Sequence, residues 1–156
     1  MKQGIDVVIC GGTRYGQERE YDTNEQCEAD RPRILRERVS LLRHLNGLHL
    51  ERGIRTLTTD GTVGAAALAG EWAQTLAVPV IPVRSDIRKY GAAAQVQRRK
   101  AILQAVLEIQ AEGAVILVVS CPGGDREFET MAKARGLDVE NVELVDLDAL
   151  QNREVA

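Results

Sequence analysis

Aromatic side chains are scarce, with one Trp, three Tyr and one Phe in 156 residues. The core must then be filled by Val, Leu, Ile and Ala, which suits strands covered by helices better than an aromatic-rich sandwich. Apolar residues still make up 44% of the chain, enough for one domain with one core. An excess of one charge sign is also missing. Lys and Arg number 20 against 23 Asp and Glu, a net charge of −3. That argues against non-specific binding to duplex nucleic acid and still permits a local basic site. No apolar run reaches membrane-spanning length. Asp6 interrupts the only early apolar stretch, so no signal peptide is expected. The three cysteines, Cys10, Cys27 and Cys121, match no zinc spacing. Cys10 and Cys121 each end an apolar run and read as small buried hydrophobes near strand ends. A reducing, cytoplasmic setting is the expectation that follows.

What is present alternates between strand and helix patterns. Ile5 to Cys10 reads as a first strand that stops at Gly11-Gly12. Gln17 to Pro32 is acidic and aperiodic and reads as a mobile surface loop. Pro32 to Arg52 reads as a helix with Leu35, Val39, Leu42, Leu45 and Leu48 as its apolar stripe, widened by Ile34 and Leu41, and Gly53 as its stop. Ile54 to Thr58 is a strand, Ala65 to Leu76 an alanine-rich helix, and Val78 to Val83 a strand that its two prolines push toward an edge. Arg84 to Gly91 reads as a charged loop. A long helix spans about Ala92 to Ala111, with Val96, Ile102, Leu103, Val106, Leu107 and Ile109 on its buried side. Ala114 to Val119 is continuously apolar, as a strand buried on both faces should be. A helix from about Arg126 to Arg135, a last strand from Val139 to Val145 and a fraying polar tail from Asp146 complete the chain. The pattern predicts a single Rossmann-like, three-layer α/β domain over residues 1–145 with a mostly parallel sheet of about five strands.

In open parallel sheets, ligands bind beyond the carboxyl ends of the strands. Three of those ends carry glycine-rich turns: Gly11-Gly12-Thr13-Arg14-Tyr15, Gly61-Thr62-Val63-Gly64 and Pro122-Gly123-Gly124. Glycine lets the backbone approach a ligand, and a helix after such a turn aims unpaired N–H groups and its positive dipole end at the same spot. That combination suits phosphate. No Gly-Lys-Ser/Thr follows any turn and no full Gly-x-Gly-x-x-Gly follows the first strand, so neither a P-loop nor an ordinary NAD site is expected, and no cofactor is. Arg98-Arg99-Lys100, early in the long helix, read either as a solvated cationic face or as partners of something anionic. Glu129 reads either as an ordinary first-turn acid or as a site carboxylate. His44 and His49 are five apart, a poor spacing for shared metal ligation, and no metal is expected. Trp72 reads as core, and Tyr90 as a loop tyrosine that could also stack on a base.

These turns, with Asp60-Gly61-Thr62-Val63-Gly64-Ala65-Ala66, Glu71-Trp72-Ala73 and Arg98-Arg99-Lys100 in this order, resemble the SLOG superfamily, most closely its YspA-type branch, a domain of unknown function. The resemblance covers roughly residues 5 to 145, except the Gln17 to Pro32 stretch, and implies a Rossmann-like fold associated with nucleotides and nucleotide-derived signals. The superfamily includes the Lonely Guy phosphoribohydrolases, whose Arg-Lys pair and Pro-Gly-Gly-x-Gly-Thr-x-x-Glu turn form the active site. Arg99-Lys100 is similar to the first element, and Pro122-Gly123-Gly124 to the opening of the second. Arg126 and Glu127 stand where Gly and Thr are usual, Thr130 at the usual glutamate, and Glu129 where the YspA-type branch often has its acid. Asp60 replaces a glycine, Ala66 an aspartate, and Arg98-Arg99 the usual Asn-Arg.

Three functions stay open. A binder of a nucleotide-derived phosphate ligand, acting as sensor or sequestering protein, would use backbone N–H groups at Gly11, Gly12, Thr13, Gly61, Thr62, Val63, Gly64, Gly123 and Gly124, with Arg14, Arg98, Arg99 and Arg126 as cations. A nucleotide N-glycosidic hydrolase would orient phosphate or ribose with Arg99 and stabilise positive charge on the sugar with Glu129. A ligand-free protein would use its acidic loop to bind a partner. Members of the superfamily commonly dimerise, so the resemblance leaves a homodimer open.

Overall fold

A computed structural model describes residues 4–12, 14–61, 63–83, 91–123 and 126–149. Ten elements alternate along it: β1 (Ile5–Cys10), α1 (Asn24–Glu51), β2 (Ile54–Thr59), α2 (Ala65–Thr75), β3 (Val80–Pro82), a 3-10 turn (Gly91–Ala93), α3 (Ala94–Ala111), β4 (Val115–Ser120), α4 (Glu127–Ala134) and β5 (Asp138–Asn141). The five strands form one sheet in the order β3-β2-β1-β4-β5, and every pairing is parallel. The chain is a Rossmann-like α/β domain.

The two apolar cores lie on opposite faces of the sheet, as the period-2 alternation of strand side chains requires. On one face Ile5, Val7, Ile9, Leu57, Leu117 and Val119 pack under α1 and α2. On the other, Val8, Ile116 and Val118 pack under α3 and α4 through Ile102, Leu103, Val106, Phe128 and Ala132. Trp72 is core, and its Nε1 donates to Asn46 Oδ1 at 2.8 Å, joining α2 to α1.

Several boundaries differ from expectation. The acidic stretch 17–32 is not a loop throughout, because α1 begins at Asn24 and runs straight through Pro32. Thr23 caps it by accepting from the Gln26 amide at 3.2 Å, while Gln26 Oε1 accepts from the Asp22 amide at 2.9 Å. Its acids are spaced to meet arginines, pairing Glu28 with Arg31, Asp30 with Arg33, and Arg33 with Glu37. Hydrophobic periodicity could not show this, since the stabilising pattern there is one of charge. Further along α1 the buried stripe is Leu41, Leu45 and Leu48, with Leu42 packed at its margin and Leu35 turned 55% to solvent. On α3, Val96 is likewise outward at 44% exposure. β3 keeps only three residues and lies at the sheet edge, where proline is tolerated. β5 covers Asp138–Asn141, shorter than Val139 to Val145, and beyond it Val142 N donates to the Ser120 carbonyl at 2.9 Å and Val145 N to Ser40 Oγ at 3.0 Å. Tyr90 and residues 150–156 of the tail lie outside the described residues. Among those described, no helix is long and apolar enough to cross a membrane.

Candidate functional site

Strand order decides where the site must be. From β1 the chain moves outward to β2 and then β3, and α3 then carries it back past β1 to β4. The connections leaving the carboxyl ends of β1 and β4 therefore part to opposite sides, which opens a crevice at this switch point. Cys10 and Ser120 are register partners at the two strand ends. Gly11, Pro122 and Gly123 follow them directly, so two of the three glycine turns flank this crevice. The third, beginning at Gly61, leaves the neighbouring strand β2 on the same edge.

The first turn is joined to α2. The Gly12 carbonyl accepts from Tyr15 N at 3.2 Å and from Ala65 N at 3.4 Å. Gly64 is the N-cap of α2 and has no side chain to cap with, and no acid stands in the first turn. One N–H of that turn, Ala65 N, is already taken by the Gly12 carbonyl, and the turn itself carries no acid. The first turn of α4 differs, because it carries Glu127 and Glu129. Val63, Gly61, Arg14, Gly123 and Arg126 are exposed, and Gly12 is buried. Thr13, Thr62 and Gly124 lie outside the described residues.

The basic residues of α3 have different situations. α3 ends at Ala111 and leads through Gly113 into β4, so its first turns stand at the carboxyl edge of the sheet. Arg99 is ion-paired with Glu127, the first residue of α4, which supplies the anion that its position calls for. Arg98 shares a face with Ala94, Ile102 and Val106, each four residues apart and each buried. It is therefore a half-buried arginine on the core-facing stripe of the helix. Its Nε is fully covered and has no hydrogen-bond partner among the described residues.

Glu129 is 5% exposed and both of its oxygens are engaged. Oε2 accepts from Ser120 Oγ at 3.1 Å and Oε1 from Lys133 Nζ at 2.9 Å. The Lys133 hydrogen bond, which outweighs the opposing effect of burial, and the Ser120 hydrogen bond hold its carboxyl below the usual value. The charge of Arg126 acts in the same direction.

Tyr15 was no candidate from sequence beyond its place in the glycine turn. It is 2% exposed in the core beneath α1 and α2, and its hydroxyl has no partner among the described residues. Burial first, then Cys121 and Glu37, push the phenol well above its usual pKa, so it stays neutral. The Cys121 thiol is pushed up to about 12 by the same burial, with Cys10 and Glu37 adding to it. Cys10 itself is only half-buried, packed against the α3–α4 core.

Arg33 binds the segment after the first glycine turn to α1. It holds Asp30 through two nitrogens at 2.7 and 2.8 Å, pairs with Glu37, and donates to the carbonyl of Gln17 at 2.6 Å and that of Arg14 at 3.5 Å. Glu37 also accepts from Gly16 N at 3.0 Å. Among the described residues no group of three or more His, Cys, Asp or Glu is placed to hold a metal ion. An open groove of about 430 Å³ between α3 and α4 is lined by Lys100, Leu103, Gln104, Met131, Ala134 and Arg135, and the glycine turns take no part in it.

This fold and this edge define an open, doubly wound α/β domain with a switch-point crevice. No family model, curated protein or solved structure matches the chain.

Proposed function

We propose that this protein binds a nucleotide or nucleotide-derived phosphate compound in the crevice between the ends of β1 and β4, as a sensor or sequestering protein. The observation that carries this reading is Arg98, a cation on a core-facing helix stripe at the carboxyl edge whose buried Nε meets no acceptor among the described residues. Buried polar groups in folded proteins are nearly always hydrogen-bonded, so an exception beside a crevice favours an external acceptor. A phosphate suits a guanidinium because it accepts two parallel hydrogen bonds. The first turn of α2 has no side-chain cap and no acid in it, and stands on the same edge as a second place that suits an anion. The first turn of α4 is less suited, since Glu127 and Glu129 repel an anion there.

Binding is favoured over N-glycosidic hydrolysis by the state of Glu129. A carboxylate that stabilises a developing sugar cation needs an oxygen facing the sugar. Both oxygens of Glu129 are already hydrogen-bonded to Ser120 and Lys133. Mass spectrometry of small molecules carried through purification, followed by calorimetric titration of the compound found, tests the proposal. A phosphorylated ligand bound without turnover is the expected result. Release of free base from a nucleoside monophosphate would establish the hydrolase instead. A melting temperature unmoved by any nucleotide would leave the ligand-free, partner-binding function.

A further inference from the structure

The first third of α1 runs past the body of the domain. α1 has 28 residues and β1 has 6. At about 1.5 Å per helical residue and about 3.3 Å per strand residue they span roughly 42 and 20 Å. Arg52 and Gly53 join the end of α1 directly to β2, which holds that end at the amino edge of the sheet. The excess length therefore extends beyond the carboxyl edge, and the buried residues of α1 begin only at Ser40. Glu25, Glu28, Pro32 and Leu35 follow at spacings of three and four, so they form one stripe of this overhang, and all four are exposed. The tip is acidic, with six acids against two arginines over residues 18–31.

The groove between α3 and α4 has the opposite character. Leu103 and Met131 are part of its apolar lining, Lys100 and Arg135 are its charged residues, and no acid lines it. Both cations are exposed, and among the described residues neither has an ion-pair partner. Groove and overhang belong to opposite faces of the sheet. Arg33 and Glu37 also fasten the overhang to the segment between Arg14 and Gln17, so a chain's overhang does not reach its own groove.

We propose that the groove between α3 and α4 takes the α1 overhang of a second copy of this chain, with Glu25 and Glu28 toward Lys100 and Arg135 and with Pro32 and Leu35 toward the apolar lining. An amphipathic helix laid in a groove is a common mode of recognition, and here the charges of helix and groove are complementary. Glu28 is paired with Arg31 within its own helix, but both side chains are exposed and such a pair contributes little, so it yields to the new one. The two surfaces differ, so the contact is head-to-tail and each added copy presents a further overhang and groove.

Sedimentation velocity of the full chain over a concentration series, at low and high salt, tests the proposal. Wild type should associate as concentration rises, and less so in high salt. Lys100→Glu with Arg135→Glu, and separately Glu25→Lys with Glu28→Lys, set like charges together at the contact. Each pair should raise the dissociation constant at least about tenfold. The variant carrying all four substitutions keeps the net charge of −3 and should associate like wild type. Leu35→Ser should weaken association without lowering the melting temperature, because Leu35 is exposed. A wild type that stays monomeric at every concentration overturns the proposal. So does association that either paired variant leaves unchanged, or that the four-residue variant fails to restore.

Discussion

Gly11 lies so close to Cys121 that a Cβ added to it would stand 2.7 Å from the Cys121 Cβ and 2.8 Å from the Cys121 carbonyl oxygen. Its φ of +146° is also one that side chains rarely adopt. The ends of β1 and β4 therefore touch backbone to backbone, and only glycine fits. Gly11→Ala should lose about 2–5 kcal/mol, from strain and overpacking together. Gly123, at φ +93°, has nothing within 4 Å of its added Cβ. Gly123→Ala should lose only about 1 kcal/mol, for backbone strain alone. Urea denaturation of both variants checks the contrast.

Arg98 and Arg99 are neighbours in sequence with opposite expectations. Arg98→Gln should weaken binding of a phosphate-bearing ligand about ten- to hundredfold, since a charge-assisted hydrogen bond is lost. Arg99 is already held by Glu127, and their side chains are 17% and 66% exposed respectively. Arg99→Ala should lose about 1 kcal/mol of stability, from the part-buried ion pair and the packed stem together, and should lower affinity far less than Arg98→Gln. Calorimetry on the two variants with the co-purified compound decides which arginine serves the ligand.

Glu129 gives the protein a specific response to acid. Its pKa is lowered by folding from the ordinary 4.5, so the unfolded chain takes up a proton first as pH falls. The stability it contributes is complete above that ordinary value and is lost as pH falls through the lowered one. Glu129→Gln should be less stable than wild type at neutral pH, and the gap should close from about pH 5 downward. Urea midpoints of both proteins across that range measure it. A gap independent of pH would mean that the Lys133 and Ser120 contacts do not depend on the charge.

Arg33 should control the order of the segment between Arg14 and Gln17. Its guanidinium reaches two carbonyls of that segment, and its partner Glu37 takes the Gly16 amide. Arg33→Ala should raise amide exchange at Gly16 and Gln17 at least tenfold while amides in β1 and β4 keep their protection. Hydrogen exchange resolved to single residues reads both at once.

Much of this architecture was legible in local chemistry. Ala114 to Val119 reads as a strand buried on both faces because the run is continuously apolar, and β4 runs from Val115 to Ser120. Gly53 marks where α1 stops. The start of α1 was not legible, because its first third is held by Thr23 and by Glu28–Arg31 and Asp30–Arg33 pairs that an apolar periodicity does not register. Leu35 also looked like core and is exposed, since the stripe that meets the sheet runs through Leu41, Leu45 and Leu48.

The sequence by itself determined that strands and helices alternate and that glycine turns follow β1, β2 and β4, because periodicity and turn chemistry are local properties. Only the tertiary structure decided which groups are already satisfied. The pairs Arg99–Glu127, Glu129–Ser120 and Arg55–Asp6 join residues that are respectively 28, 9 and 49 positions apart. A hydrogen bond is satisfied by whatever lies within about 3 Å, and that neighbour is set by packing of the sheet and its helices. The same packing leaves Arg98 Nε and Tyr15 Oη without hydrogen-bond partners among the described residues, while it gives Arg99 the carboxylate of Glu127.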